Sequence, residues 1–253
     1  MDDVVVVWKK VGQTPLDAIR VFLKVKPLYK DETISYAGRL DPMAEGILML
    51  LVGEENKKRK EYEDLKKVYE TEIVFGITTD TYDALGLMEF GGIDQVPSEK
   101  EIRYQLKKLI GKKQQQYPPY SSKPVSGKPL YWWARRNRLS EIEIPEKEIE
   151  IYSTKLLSYS TISSKRLLKD VLGRIELVHG NFRQAEITQI WKEKLQVDIQ
   201  FLKINMEVSC SSGTYVRKIA SDLGETLGCG GFANTIVRTR VGGFVKKNCL
   251  LTS

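Results

Sequence analysis

AGRLDPMAEGILMLLVGEENK, residues 37–57, carries one aspartate, Asp41, set between Leu40 and Pro42, with Arg39 two places before it and glycines on both sides. The segment then becomes an uninterrupted apolar run, Ile47–Val52. A charge at the mouth of such a run requires an explanation. On sequence grammar alone Asp41 reads as a turn or N-cap aspartate, with Pro42 at the first helical position. A catalytic reading needs other motifs to agree with it.

Outward from this segment, VVVVWKK near the start is β-branched and predicts a strand. Thr14, Pro15 and Asp17 predict a helix start, with Ala18, Ile19, Phe22 and Leu23 following at helical spacing. VYETEIVFG, residues 68–76, alternates as a strand does. Ser98 and Glu101 in PSEKEIRYQLKKLIG have capping-box spacing, and that helix is expected to end at Gly111. SEIEIPEKEIEIYS, 140–153, reads as a solvent-facing strand, and SYSTISS, 158–164, as a polar loop. IQFLKINMEVSC is strand-like, and an amphipathic helix is predicted from near Thr214 to Gly228. Strands and helices intermix without a regular βαβ rhythm or an internal repeat, so the expected class is α+β with a mixed sheet.

The chain has 253 residues, 42% of them hydrophobic, enough for one large domain. Its acidic start, MDD, is the reverse of a secretory signal, and no run of about 18 apolar residues is present. No membrane association and a cytoplasmic setting are expected. Cys210, Cys229 and Cys249 form no C-x-x-C pair, so neither a disulfide framework nor a zinc site is expected. The single histidine, His179 in IELVHGNF, reads as a residue at a strand end before a turn, which leaves triads and multi-histidine metal sites without support. Asp80 and Asp83 in TTDTYDALG do not have EF-hand spacing and read as a structured turn.

Net charge is +7, and the distribution of that charge is informative. Residues 117–138, YPPYSSKPVSGKPLYWWARRNR, hold four prolines, five aromatics, five Lys or Arg and no acid. Such a stretch cannot be helical throughout. Lys123, Lys128, Arg135 and Arg136 interleave with Tyr117, Tyr120, Tyr131, Trp132 and Trp133, the mixture that single-stranded RNA surfaces use. The alternative is that the aromatics are core and only the charges are wet. KKRK, 57–60, reads as a solvated helix face or a phosphate contact.

Four colinear stretches resemble the TruB family of tRNA pseudouridine synthases: AGRLDPMAEGILMLLVGEENK, KKVYETEIVFGITTDTYDALG, YPPYSSKPVSGKPLYWWAR and VSCSSGTYVRKIASDLGETLGCGGF. The resemblance spans roughly residues 4–245. It implies the pseudouridine synthase fold, a mixed and mostly antiparallel sheet flanked by helices and loops around an RNA-binding cleft. It also implies a cofactor-free and metal-free isomerisation, in which the N1–C1′ bond of a uridine breaks, the base turns, and C5 takes the place of N1. Asp41 matches the family aspartate, which adds to the nucleoside or takes a ribose proton. Such a carboxylate needs a nearby cation, and Arg217 in GTYVR matches the arginine that pairs with it. Tyr69 matches the tyrosine that stacks on the target base and helps remove the C5 proton; read without the family, it is a core strand aromatic. Lys67, in the Lys-x-Tyr context, Tyr215 and Ile236 are expected at the substrate. Arg39 reads equally as a solvent-facing charge or an RNA contact.

The chain departs from the family pattern in three places. Tyr36 stands where bacterial members usually carry a histidine, the connection about 158–198 is longer and reads as an insertion, and the sequence stops where many relatives continue into a PUA domain. One catalytic domain over 1–253 without a PUA domain, acting as a monomer on the T-arm stem-loop of tRNA at uridine 55, is the expectation. A uridine in a folded loop must be flipped out to be reached, and basic and aromatic contacts from 117–138 would compensate that cost. Two other readings share the fold: the catalytic subunit of a guide-RNA particle, disfavoured by the missing PUA stretch, and an RNA-binding or tRNA-folding protein, disfavoured by the Asp41, Tyr69 and Arg217 set.

Overall fold

The computed structural model describes residues 3–92, 96–196 and 198–250. The acidic start at Met1 and Asp2 lies outside the described residues. In chain order the first half contains β1 (Asp3–Lys9), α1 (Pro15–Val25), β2 (Ile34–Ala37), β3 (Ala44–Val52), α2 (Arg59–Asp64), β4 (Lys67–Phe75), β5 (Ile77–Thr79), β6 (Met88–Phe90) and α3 (Glu99–Lys108). The second half contains β7 (Gly111–Gln116), β8 (Pro124–Val125), β9 (Lys128–Pro129), α4 (Leu130–Ala134), β10 (Glu146–Ser163), α5 (Ser164–Ile175), α6 (Gln184–Lys194), β11 (Gln200–Cys210), α7 (Val216–Thr226), β12 (Gly231–Val241) and β13 (Phe244–Val245).

Nine strands form one sheet in the order β1-β3-β12-β4-β11-β10-β7, with β2 added to β3 and β13 to β12. Only β12 and β3 run parallel, so the sheet is mixed and mostly antiparallel. β3 is the apolar run that follows Asp41, and all of its nine residues except Glu45 are buried. Alternate residues of β11 face opposite sides: Ile204, Met206 and Val208 join the core under α3 and α7, whereas Phe201 joins a second core with Val171, Ile187 and Trp191 of α5 and α6.

Both helix starts read from capping chemistry are present. Thr14 and Asp17 exchange reciprocal bonds at α1, and Ser98 and Glu101 do so at α3. α7 also lies within its predicted span. Three local expectations differ from the structure. Gly111 does not close α3; it opens β7 with φ +109°, a conformation glycine adopts without strain. SYSTISS is not a loop but the end of β10. Two register shifts, between Ile151 and Ser153 and between Leu156 and Ser158, break the period of two that would have marked a strand. His179 follows the helix end at Ile175 rather than a strand, because Leu167, Val171 and Ile175 bury one face of α5 at helical spacing.

The proposed insertion is therefore structured. α5 and α6 cover one sheet face, and the buried Trp191 donates its indole N–H to the Gly86 carbonyl at 3.0 Å. This bond ties the α5–α6 segment to the Asp80–Gly86 turn. Among the described residues, no helix is long and apolar enough to cross a membrane, and no group of three or more His, Cys, Asp or Glu is placed to hold a metal.

Candidate active site

Asp41 sits in the turn between β2 and β3, not at a helix N-cap. Its carbonyl accepts from Ala44 N–H at 3.0 Å, and the Pro42 carbonyl accepts from Gly12 N–H at 2.8 Å. A buried arginine holds this turn in place. Arg238 of β12 donates Nε to the Ile47 carbonyl at 2.7 Å and Nη2 to the Gly38 carbonyl at 2.8 Å. The parallel pairing of β3 and β12 brings Gly46 so close to Arg238 that a Cβ would lie 2.3 Å from its carbonyl oxygen. Only glycine fits there.

Arg217, in the first turn of α7, reaches Asp41 from the opposite side. Its Nε donates to Asp41 Oδ2 at 2.8 Å, while Nη1 and Nη2 donate to the carbonyls of Thr81 at 2.8 Å and Tyr120 at 3.2 Å. The Arg217 side chain is 3% exposed and that of Asp41 32%, so the cation is buried and the carboxylate faces open space. Burial would lower the Arg217 guanidinium, but the charges of Asp41 and Asp83 outweigh it and hold it raised. Asp83 is buried and accepts from Thr81 Oγ1 at 2.8 Å and Leu85 N–H at 2.9 Å. Burial pushes its carboxyl up to about 6, against the pull of Arg217.

A cavity of about 290 Å³ opens beside the pair, and it collects Lys67, Tyr69, Tyr215 and Ile236 with Asp41, Arg217 and Arg238. Register explains this convergence. Tyr69 of β4 is the partner of Arg238 in β12, and Ile236 lies two residues away on the same strand face. Tyr69 is 8% exposed and Ile236 7%. Burial pushes the Tyr69 phenol up, with Arg238 opposing. Lys67 is buried and donates to the Glu63 carbonyl; burial, aided by the charge of Arg238, lowers it to about 8. Gln115 clamps the Tyr215 backbone on both sides, accepting from its N–H at 2.8 Å and donating to its carbonyl at 3.1 Å. The Tyr215 ring lies 5.4 Å from the Arg217 guanidinium.

Of the five basic residues in 117–138, the four singled out from the sequence divide into two groups. Arg135 lines a second cavity, about 480 Å³, that adjoins Asp41 on its other side, and donates to the Asn181 carbonyl at 2.5 Å. The others lie on aromatic rings: Lys123 on Tyr117, Lys128 and Arg136 on Trp132, the last at 4.1 Å. Trp132 and Trp133 pack edge to face at 5.0 Å and are half-buried. The aromatics thus support the exposed Lys128 and Arg136 and the half-buried Lys123 rather than filling the core. Arg39 is exposed, as a solvent-facing charge would be, and donates to the Ser122 hydroxyl at 2.5 Å and the Tyr36 hydroxyl at 3.1 Å. Lys57, Lys58 and Arg59 pair with Glu54, Glu55 and Glu63, as a solvated helix face would.

Reading the sequence missed Arg238, Gln115 and Asp83 as parts of this site. For Arg238 a signal existed, since NTIVRTRV on a strand puts residues 236 and 238 on one face. Gln115 and Asp83 meet Tyr215 and Arg217 only through tertiary contacts.

Comparison with known proteins agrees with the geometry, first in fold and then in family. The Cbf5 chain of a Cbf5-Nop10-Gar1 complex superposes over 98% of this chain with TM-score 0.59 and 16% identity, and this chain spans about half of it, 51%. In sequence, the chain is 31% identical over 255 residues to tRNA pseudouridine synthase B of Listeria monocytogenes, covering 99% of this chain and 69% of the relative. It is 29% identical over 249 residues to tRNA pseudouridine synthase B of Oceanobacillus iheyensis, covering 98% and 68%. Residues 26–171 match the TruB family pseudouridylate synthase (N terminal domain). The chain belongs to the TruB family of pseudouridylate synthases, and so to a family of isomerases.

Proposed function

We propose that this protein is a tRNA pseudouridine synthase that isomerises the T-loop uridine, position 55, with Asp41 as the reacting carboxylate, and that it acts as a monomer on the T-arm stem-loop. The observation that carries this reading is the 2.8 Å pair between a solvent-facing Asp41 and a buried Arg217, with Tyr69 and Ile236 walling a nucleobase-sized cavity beside it. Arg217 engages Oδ2, which leaves Oδ1 of Asp41 as the atom turned to substrate. A carboxylate can act there by adding to the nucleoside or by removing a ribose proton; in both routes Oδ1 is the reacting atom and Arg217 balances its charge. Tyr69 and Ile236 offer the uracil a flat ring and an apolar contact while N1 leaves and C5 turns into its place. Once C5 has bonded to C1′ its proton must leave and N1 must gain one; the Tyr69 phenol, held protonated by burial, can serve that step only as a relay that gives up its own proton as it takes another, with Asp41 or water as the base that accepts the C5 proton. No redox partner is required because product and substrate are isomers.

A uridine in a closed loop reaches this cavity only when flipped, and the half-buried Lys123 and the exposed Lys128 and Arg136, on their aromatic supports, are the contacts that would offset that cost. The test is substrate form. An isolated T-arm hairpin should yield one pseudouridine per molecule, detected by carbodiimide mapping, and an unstructured RNA of the same composition should yield none. Equal rates on both would overturn the assignment to the T-arm.

A further inference from the structure

The turn joining α5 and α6 belongs to the segment that departs from the family pattern, yet it lies against the Asp41–Arg217 pair. Asn181, Phe182 and Arg183 form one wall of the cavity on the far side of Asp41. Arg183 has a left-handed backbone, φ +64°, which is unfavourable for an arginine. The turn does not need that side chain for its own shape. Gln184 ties it, donating to the Val178 and Gly180 carbonyls at 3.0 and 2.7 Å and accepting from Phe182 N–H at 2.9 Å.

The Arg183 guanidinium instead spans two elements of the site. Nη2 lies 2.8 Å from Asp80 Oδ2, and the guanidinium carbon lies 4.5 Å from the centre of the Tyr120 ring. Asp80 is fixed independently, since its Oδ1 accepts from Leu87 N–H at 2.8 Å. The Tyr120 carbonyl is one of the three acceptors that orient Arg217. A single-file set of contacts therefore runs from Asp80 through Arg183 and Tyr120 to Arg217 and Asp41.

We infer that Arg183 is a positioning residue for the Asp41–Arg217 pair: by holding the Tyr120 ring against Asp80, it fixes the carbonyl that aims the Arg217 guanidinium. This inference rests on the reading of Asp41 and Arg217 given above. The insertion is thereby part of the site's support and not only a cover for the sheet.

The test uses the full chain and a T-arm hairpin, measuring hairpin Kd, the single-turnover rate of pseudouridine formation at saturating enzyme, and Tm. Arg183→Gly relieves the left-handed strain while removing the guanidinium, so the turn should remain intact and Tm should not fall. The expected result is a single-turnover rate at least tenfold lower with Kd within threefold of wild type. Arg183→Lys, which restores the cation beside Asp80, should recover at least a third of the wild-type rate. Asp80→Asn keeps the acceptor for Leu87 N–H but removes the charge that holds Arg183, and it should show the same split between rate and Kd. An unchanged rate in Arg183→Gly, or a loss confined to Kd, would overturn the inference; the second result would make Arg183 an RNA contact. If wild-type protein forms no pseudouridine, the functional reading itself fails, and that outcome is separate from a wild-type-like Arg183→Gly.

Discussion

Removing the Arg217 guanidinium should damage both chemistry and fold, in amounts that follow from its contacts. In Arg217→Met the carbonyls of Thr81 and Tyr120 lose their donors, and Asp41 and Asp83 are left on either side of an uncharged chain. Breaking a buried ion pair by deleting one partner costs about 3–5 kcal/mol. For a chain of this size, about 2–4 °C of Tm accompanies each kcal/mol, so Tm should fall by roughly 10 °C. Asp83, already pushed up to about 6 by burial, rises further when Arg217 is gone. A carboxyl with a raised folded-state pKa favours the native state at low pH and loses that contribution as pH rises through the folded value. The deficit of Arg217→Met relative to wild type should therefore shrink between pH 7 and pH 5, read by urea unfolding at each pH. Arg217→Lys keeps a charge but cannot serve three acceptors in a planar fork; losing one charge-assisted bond, about 1.5–3 kcal/mol, should lower the single-turnover rate by roughly 10- to 150-fold. A Met variant that melts within 2 °C of wild type, or a Lys variant at full rate, would refute the reasoning.

Lys9 is fully buried, donates to the Ala44 carbonyl at 2.6 Å, and is lowered by burial to about 7. Between pH 7 and 10 the unfolded chain holds a proton that native Lys9 has released, so stability should rise with pH by about 1.4 kcal/mol per unit from this group. Lys9→Met should flatten the slope by that amount, and an unchanged slope would contradict the assignment. Replacing Lys123, Lys128 and Arg136 together by alanine, with Arg135 retained because it holds Asn181, should raise the tRNA Kd at least tenfold, about 1.4 kcal/mol, and reduce the salt dependence by about two to three ions. The rate at saturating enzyme should change much less; unchanged Kd and salt slope would place the RNA surface elsewhere.

The readable parts of the chain were those specified by local chemistry. Capping residues at Thr14 and Ser98, the apolar run after Asp41 and the helix after Tyr215 each depend on neighbours within a few residues, and each lies where expected. β10 was misread at its second half because two bulges move Leu156 onto the face of Ile149 and Ile151 and place Ile162 on the other. α5 and α6 are less legible, because a polar run precedes the helical spacing of Leu167, Val171 and Ile175. At the site, Asp41, Tyr69, Arg217 and Ile236 were picked out by motif, and the structure brings all four to one cavity. Arg238, Gln115 and Arg183 come from three distant segments, and only folding brings them to the turn, to the Tyr215 backbone and to the Tyr120 ring.

The most direct measurement is pseudouridine formation on a T-arm hairpin by wild type and by Asp41→Asn, under single-turnover conditions with hairpin Kd measured in parallel. The substitution preserves size and an acceptor for Arg217 Nε while removing the carboxylate proposed to react. Wild type should convert one uridine completely, Asp41→Asn should give no detectable product, and their Kd values should lie within a few-fold of each other. Substantial product from Asp41→Asn, or none from wild type, would contradict it.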